Sequence, residues 1–186
     1  MPDSDSRSYL FTTDRLERFL TNGFRYPLLD MYLDDFFGAV LTDQKNLKLL
    51  DAVIEKICAI AHPNDTDICV LTHKYFSDAF FAYRVTPEGI EPTVITRIRS
   101  DHTANQVFEK GCGAAIGQMK AASEGKWIGL VAENRTPAIV VIIDFDYYTG
   151  KLSNIIRLRP SGADYGIEFS SDNSKFYDQS RGAVSQ

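Results

Sequence analysis

Cys112 stands between two glycines in the stretch QVFEKGCGAAIGQMKAASEG, residues 106–125. Gln106 precedes it, and His73 and His102 lie upstream. A cysteine at the start of a helix, with backbone amides ahead of it and an imidazole in reach, has the makings of a nucleophile. On that reading the helix breaks at Gly111, and Cys112 opens GAAIGQMKAAS. The catalytic candidates are then Cys112, Gln106 and either His73 or His102, acting as a cysteine-dependent hydrolase or deamidase.

The same stretch has a packing explanation. On a helix, Phe108, Cys112, Ile116 and Met119 form one apolar stripe, and Gly113, Gly117 and Ala121 recur every four residues. Each interior glycine costs roughly 0.5–1 kcal/mol against alanine, so three of them call for a closely approaching backbone. A phosphate loop at GCGAAIG would need a strand feeding directly into the glycines, and the preceding NQVFEK reads as helix. Close packing is the first expectation here and a reactive thiol the second.

Two further sets of residues carry charge at strand spacing. Arg97 and Arg99 in TRIRS, with Arg157 and Arg159 in IIRLRP, alternate so that each pair shares a face. If their strands are neighbours, these arginines line one sheet face able to hold an acidic partner, a phosphate or RNA, or, as the more ordinary outcome, pair with Glu91, Asp144 and Asp146 as cross-strand ion pairs. Asp144 and Asp146 in DFDYY also share a face, about 7 Å apart at Cα by the rise of a strand. They are the candidate metal ligands, although a strand end emerging from the core into solvent is the preferred explanation. No Cys or His spacing suits a metal, and no cofactor is expected.

The elements that must position these residues read as helices first. TTDRLERFLTNG, YPLLDMYLDDFFGAVL and DQKNLKLLDAVIEKICAIAH all place apolar residues at helical intervals. After PNDTD the character turns to strand, in DICVLTHKY, AFFAYRV and TVITRIR. The glycine-bearing helix follows. KWIGLVAE, PAIVVIIDFDYY and LSNIIRLRP then read as further strands, with a short one at YGIEF. The expected fold class is α+β: N-terminal helices packed on a central mixed or mostly antiparallel sheet of 5–6 strands, with one buried Gly-rich helix. Residues 1–8 are expected to be a flexible tail, 9–170 a single globular domain, and 171–186 a loose C-terminal tail.

The order His73, Glu91, Gln106, Cys112 resembles that of SUMO-protease-like cysteine peptidases, with His73-Lys74 in place of their His-Trp and GCG in place of DCG. A second resemblance runs over roughly residues 45–150. EPTVITRIRS, a helix containing AAIGQM, and then KWIGLVAENRTPAIVVIIDF are similar to the core of PD-(D/E)XK nuclease-like folds. Gln118 would match the glutamine of that family's helix. Where the family carries Glu-x-Lys, this chain reads Arg97-Ile98-Arg99. That resemblance therefore implies a degenerate active site without nuclease metal chemistry, or a metal-dependent nuclease with a relocated site.

The formal charge of −5 does not favour nucleic acid as the dedicated partner. The segment MPDSDSRSYLF has no apolar core, so a secretory signal is not expected. PAIVVII is too short to span a membrane. Three cysteines at unrelated spacings suit free thiols in a reducing, cytoplasmic setting. The function expected is a non-catalytic binding or regulatory module with a protein partner. It would use the arginine face, with Gln118 nearby, or an aromatic surface.

Overall fold

The computed structural model describes residues 1–15, 20–98, 115–132, 138–158, 165–180 and 183–185. Among them the chain is almost entirely strand. The strands are β1 (Arg7–Tyr9), β2 (Phe24–Tyr26), β3 (Leu28–Asp30), β4 (Ala39–Val40), β5 (Leu47–Leu50), β6 (Val53–Ala61), β7 (Ile68–Lys74), β8 (Ala79–Thr86), β9 (Gly89–Ile90), β10 (Val94–Arg97), β11 (Met119–Ala121), β12 (Trp127–Ala132), β13 (Ile139–Asp146), β14 (Lys151–Leu158), β15 (Gly166–Phe169), β16 (Phe176–Ser180) and β17 (Ala183–Ser185). A 3-10 turn, Thr42–Gln44, and Ala115, also in 3-10 conformation, are the helical geometry among the described residues. The expected α+β class, with its N-terminal helices, is therefore overturned.

The strands form sheets in chain order. β1, β3 and β4 make a small sheet beside the β2–β5 ribbon. β6, β7, β8 and β10 make an antiparallel meander in the order β10-β8-β7-β6, with β9 hairpinned onto β8. β11 to β14 make a second four-stranded meander, and β15 to β17 a final three-stranded sheet. In place of one central sheet there are several small ones; from β6 onward each is built from strands close in sequence, while in the N-terminal part β2 pairs with β5 across β3 and β4.

Alternation within each strand glues these sheets face to face. On β7, Cys69 and Leu71 point one way and Val70 the other. Leu71, Phe80 and Ala82 meet Leu130, Ile128 and Ile143 in the main core between the two meanders. Val70, Tyr83 and Val85 face back to Phe24 and the first small sheets. On the far side, Val131 and Val140 meet Ile167 and Phe176 of the last sheet. Each meander is thus buried on both faces by its chain neighbours.

The helical expectation failed for definable reasons. In β6, Ile54, Lys56, Cys58 and Ile60 share the buried face, while Glu55, Ile57, Ala59 and Ala61 are more exposed. Lysine in the buried row hid this alternation, and Glu, Lys and Ala gave the segment a helical composition. The β-branched Val53, Ile54, Ile57 and Ile60 favour the strand. In YPLLDMYLDDFFGAVL, β3 and β4 flank a loop in which Asp34, Asp35 and Phe36 have φ of 52°, 50° and 69°, outside any right-handed helix.

The Gly-rich helix is also absent from the part of its span that is described. Ala115 has 3-10 geometry, Ile116 and Gly117 bend the chain toward β11, and Gly117 has φ of 127°. A Cβ on Gly117 would overlap the Val131 carbonyl oxygen of β12. Close backbone approach is what this glycine serves, but in a turn and not in a helix.

Candidate functional site

β6 and β11 are the terminal strands of their sheets, and they approach each other where the two meanders meet. Between them runs a groove of about 530 Å³, lined by residues 55–59 of β6 and 117–121 of the β11 arm. A register shift between Val53 and Ile57 bends β6 as it enters. Two hydroxyls tie the bent segment down. Thr72 Oγ1 donates to the Lys56 carbonyl at 3.1 Å, and Thr13 Oγ1 donates to the Glu55 carbonyl at 3.4 Å.

Lys56 is the unusual member. It is only 3% exposed, on the same face as Cys58 and Ile60. Its Cε lies beneath Gly117, where a side chain on that residue would crowd it. Burial pushes the ammonium down to about 7, with the Glu55 charge opposing the shift. His73 occupies the same buried face on β7 and is 1% exposed. Its ring meets Phe80 edge-on, with centroids 4.4 Å apart. Burial and the Lys56 charge push it down to about 3, against Asp78 and the Ser77 backbone. His73 is therefore a neutral imidazole throughout the ordinary pH range.

Gln118, Lys120 and Cys58 of the groove have structural roles. Gln118 Oε1 accepts from the Ile167 amide at 2.8 Å, joining the second meander to the last sheet. Lys120 pairs with Glu168 at 2.7 Å. Burial raises the Cys58 thiol to about 11 and the Cys69 thiol to about 12. Neither is a thiolate at neutral pH, so neither offers a nucleophile. Lys56 thus places a buried amine among the groove residues, a group whose charge attracts a carboxylate or another anion.

The sequence candidates are dispersed. Cys112, His102, Gln106, Arg99 and Arg159 lie outside the described residues. Arg97 on β10 pairs with Asp78 at 2.6 Å. Arg157 is on β14, opposite Val141, in the other meander. The strands of these two arginines belong to different sheets, touching where the Leu152 amide of β14 donates to Thr96 Oγ1 of β10 at 3.2 Å. Asp144 accepts from Asn154 Nδ2 at 2.9 Å. Asp146 accepts from Thr149 Oγ1 at 2.6 Å and from the Tyr148 amide at 3.0 Å. Each aspartate thus serves its own hairpin, and no cluster of three or more potential metal ligands occurs among the described residues. Nor does any described helix have the length and apolarity to cross a membrane. Sequence reasoning missed Lys56. Its one signal was a lone lysine in the inner row of IEKICAI.

No family model and no curated protein matches the chain. A crystal structure of a protein from Lactobacillus plantarum is similar, with a TM-score of 0.53 at 13% identity, covering 91% of this chain and 46% of that one. A functionally unknown protein from Desulfotomaculum acetoxidans gives a TM-score of 0.39 at 9% identity, covering 96% of this chain and 63% of that one. The first likeness is one of fold alone. This chain spans less than half the length of the Lactobacillus plantarum protein. None of these comparisons bears on the nuclease or peptidase resemblance.

Proposed function

We propose that the chain is a non-catalytic binding module, and that its ligand is an extended acidic peptide lying in the β6–β11 groove. In this reading the two meanders are consecutive blades of a propeller-like arc, and the groove runs along their first strands. The observation that carries it is the placement of Lys56 at the floor of a groove bordered by two sheet-terminal strands. Edge strands give main-chain pairing to an extended peptide, and a recessed cation selects its acidic side chain.

The test uses a blocked hexapeptide of alternating Glu and Val, with the Lys-for-Glu peptide as control. Amide shifts on titration should move at Ile57 and from Gly117 to Lys120 with the Glu peptide alone. Lys56→Met keeps the volume and removes the charge, and should weaken binding at least tenfold. Equal binding of both peptides, or an unchanged Lys56→Met affinity, would sink the proposal.

A further inference from the structure

The loop between β3 and β4 exposes five large apolar side chains within seven residues. Met31 is 44% exposed, Tyr32 61%, Leu33 40%, Phe36 76% and Phe37 82%. Single exposed apolar residues are ordinary, but a contiguous group of this kind marks a contact surface.

The loop holds a definite shape. Asp30 accepts from the Tyr32 amide at 3.0 Å and from Arg7 Nε at 3.1 Å. The Phe37 amide donates to the Asp34 carbonyl at 2.9 Å, and the Gly38 amide donates to the Leu33 carbonyl at 3.0 Å. The Tyr32 and Phe36 rings meet edge-on at 5.8 Å. Asp34, Asp35 and Phe36 all adopt positive φ, a conformation that residues with a Cβ rarely take and that is concentrated at functional loops. This strained backbone presents Phe36 and Phe37 to solvent instead of folding them inward.

Charge selects the kind of partner. Asp34 and Asp35 are exposed at the centre of the loop, between Tyr32-Leu33 and Phe36-Phe37. If the tip entered a bilayer, these carboxylates would enter with it, which is costly. A protein surface can instead meet the aromatics with apolar groups and the aspartates with cations.

We propose that this loop is a docking finger for a protein segment carrying an apolar stripe edged with lysine or arginine. The site is separate from the β6–β11 groove and prefers the opposite charge.

The probe is a fluorescein-labelled amphipathic helical peptide with Leu at heptad core positions and Lys on both flanks, read by anisotropy. Its partner probe carries Glu for Lys, and phosphatidylcholine vesicles are tested by co-sedimentation. The Leu/Lys peptide should bind. Its affinity should fall at least tenfold in Phe36→Ser/Phe37→Ser and in Asp34→Asn/Asp35→Asn. Both variants replace exposed groups outside the strands, and circular dichroism checks that each is folded. Equal affinity of the loop variants, equal binding of the Leu/Glu peptide, or loop-dependent uptake by vesicles would each overturn the proposal.

Discussion

Lys56 and His73 occupy the same buried face of two paired strands, and the charge of the lysine helps to hold the histidine neutral. Both are charged or chargeable groups placed where apolar residues are the rule. Their protonation is therefore coupled to folding.

For Lys56 the coupling falls on the alkaline side. The unfolded chain keeps this proton up to about 10.5, while the folded chain releases it near 7. Below pH 7 both states carry the proton, and the burial cost is fully present. Between pH 7 and 10.5 only the unfolded chain carries it, so stability climbs with pH. The full climb is about 5 kcal/mol, at about 1.4 kcal/mol per unit. Urea midpoints at pH 7, 8 and 9 should rise in the wild type and stay flatter in Lys56→Met. Parallel curves would contradict the assignment.

For His73 the window is acidic. The unfolded side chain takes a proton near 6.5, and the folded one only near 3. Stability from this group is complete above 6.5 and declines as the pH falls toward 3. His73→Leu should abolish the part of the loss seen between pH 6.5 and 5, where few carboxylates titrate. Fluorescence-monitored urea unfolding at half-unit intervals reads it.

Acidic-peptide binding should also follow Lys56. A carboxylate favours the ammonium form, so affinity for the Glu/Val peptide is expected to be greater at pH 6 than at pH 8. Lys56→Met should remove that dependence. Titration calorimetry at the two pH values decides it.

Gly117→Ala should cost about 2 kcal/mol or more, because the new Cβ meets the Val131 carbonyl and the backbone needs φ of 127°. A thermal scan showing a midpoint within a degree of the wild type would contradict this packing.

Cys58 and Cys69 should resist iodoacetamide at pH 8 in the folded protein, since their thiols titrate near 11 and 12. Mass spectrometry of Cys112→Ser should find both labelled only after urea. The converse variant, Cys58→Ser/Cys69→Ser, reports on Cys112. Fast labelling with a depressed apparent pKa would support the cysteine-enzyme alternative.

Much of the strand content was legible where one principle acted alone. DICVLTHKY, AFFAYRV, TVITRIR, KWIGLVAE, PAIVVIIDFDYY and LSNIIRLRP all contain strands. They combine β-branched and aromatic residues with turn signals such as Thr149-Gly150. β6 was illegible because Lys56 interrupts the inner apolar row, and 3.6- and 2-residue periods then fit the same letters. The β3–β4 loop misled because its apolar residues face solvent instead of a core. Of the site, His73 and Gln118 were noticed for other roles. Lys56 was passed over because a lysine is read as surface until its neighbours on adjacent strands are known.

The nesting of consecutive strands into separate sheets also bears on how the chain acquires its structure. Within each meander, hydrogen bonding joins segments close in sequence, apart from short loops. Long-range cost is confined to docking one finished sheet on the next. Such an arrangement lowers the loop-closure entropy of each step and makes stability a sum of sheet terms and interface terms. Folding can then advance in chain order. Loss of the last sheet would uncover Val131 and Val140 while the Leu71–Ile128–Ile143 core stays closed.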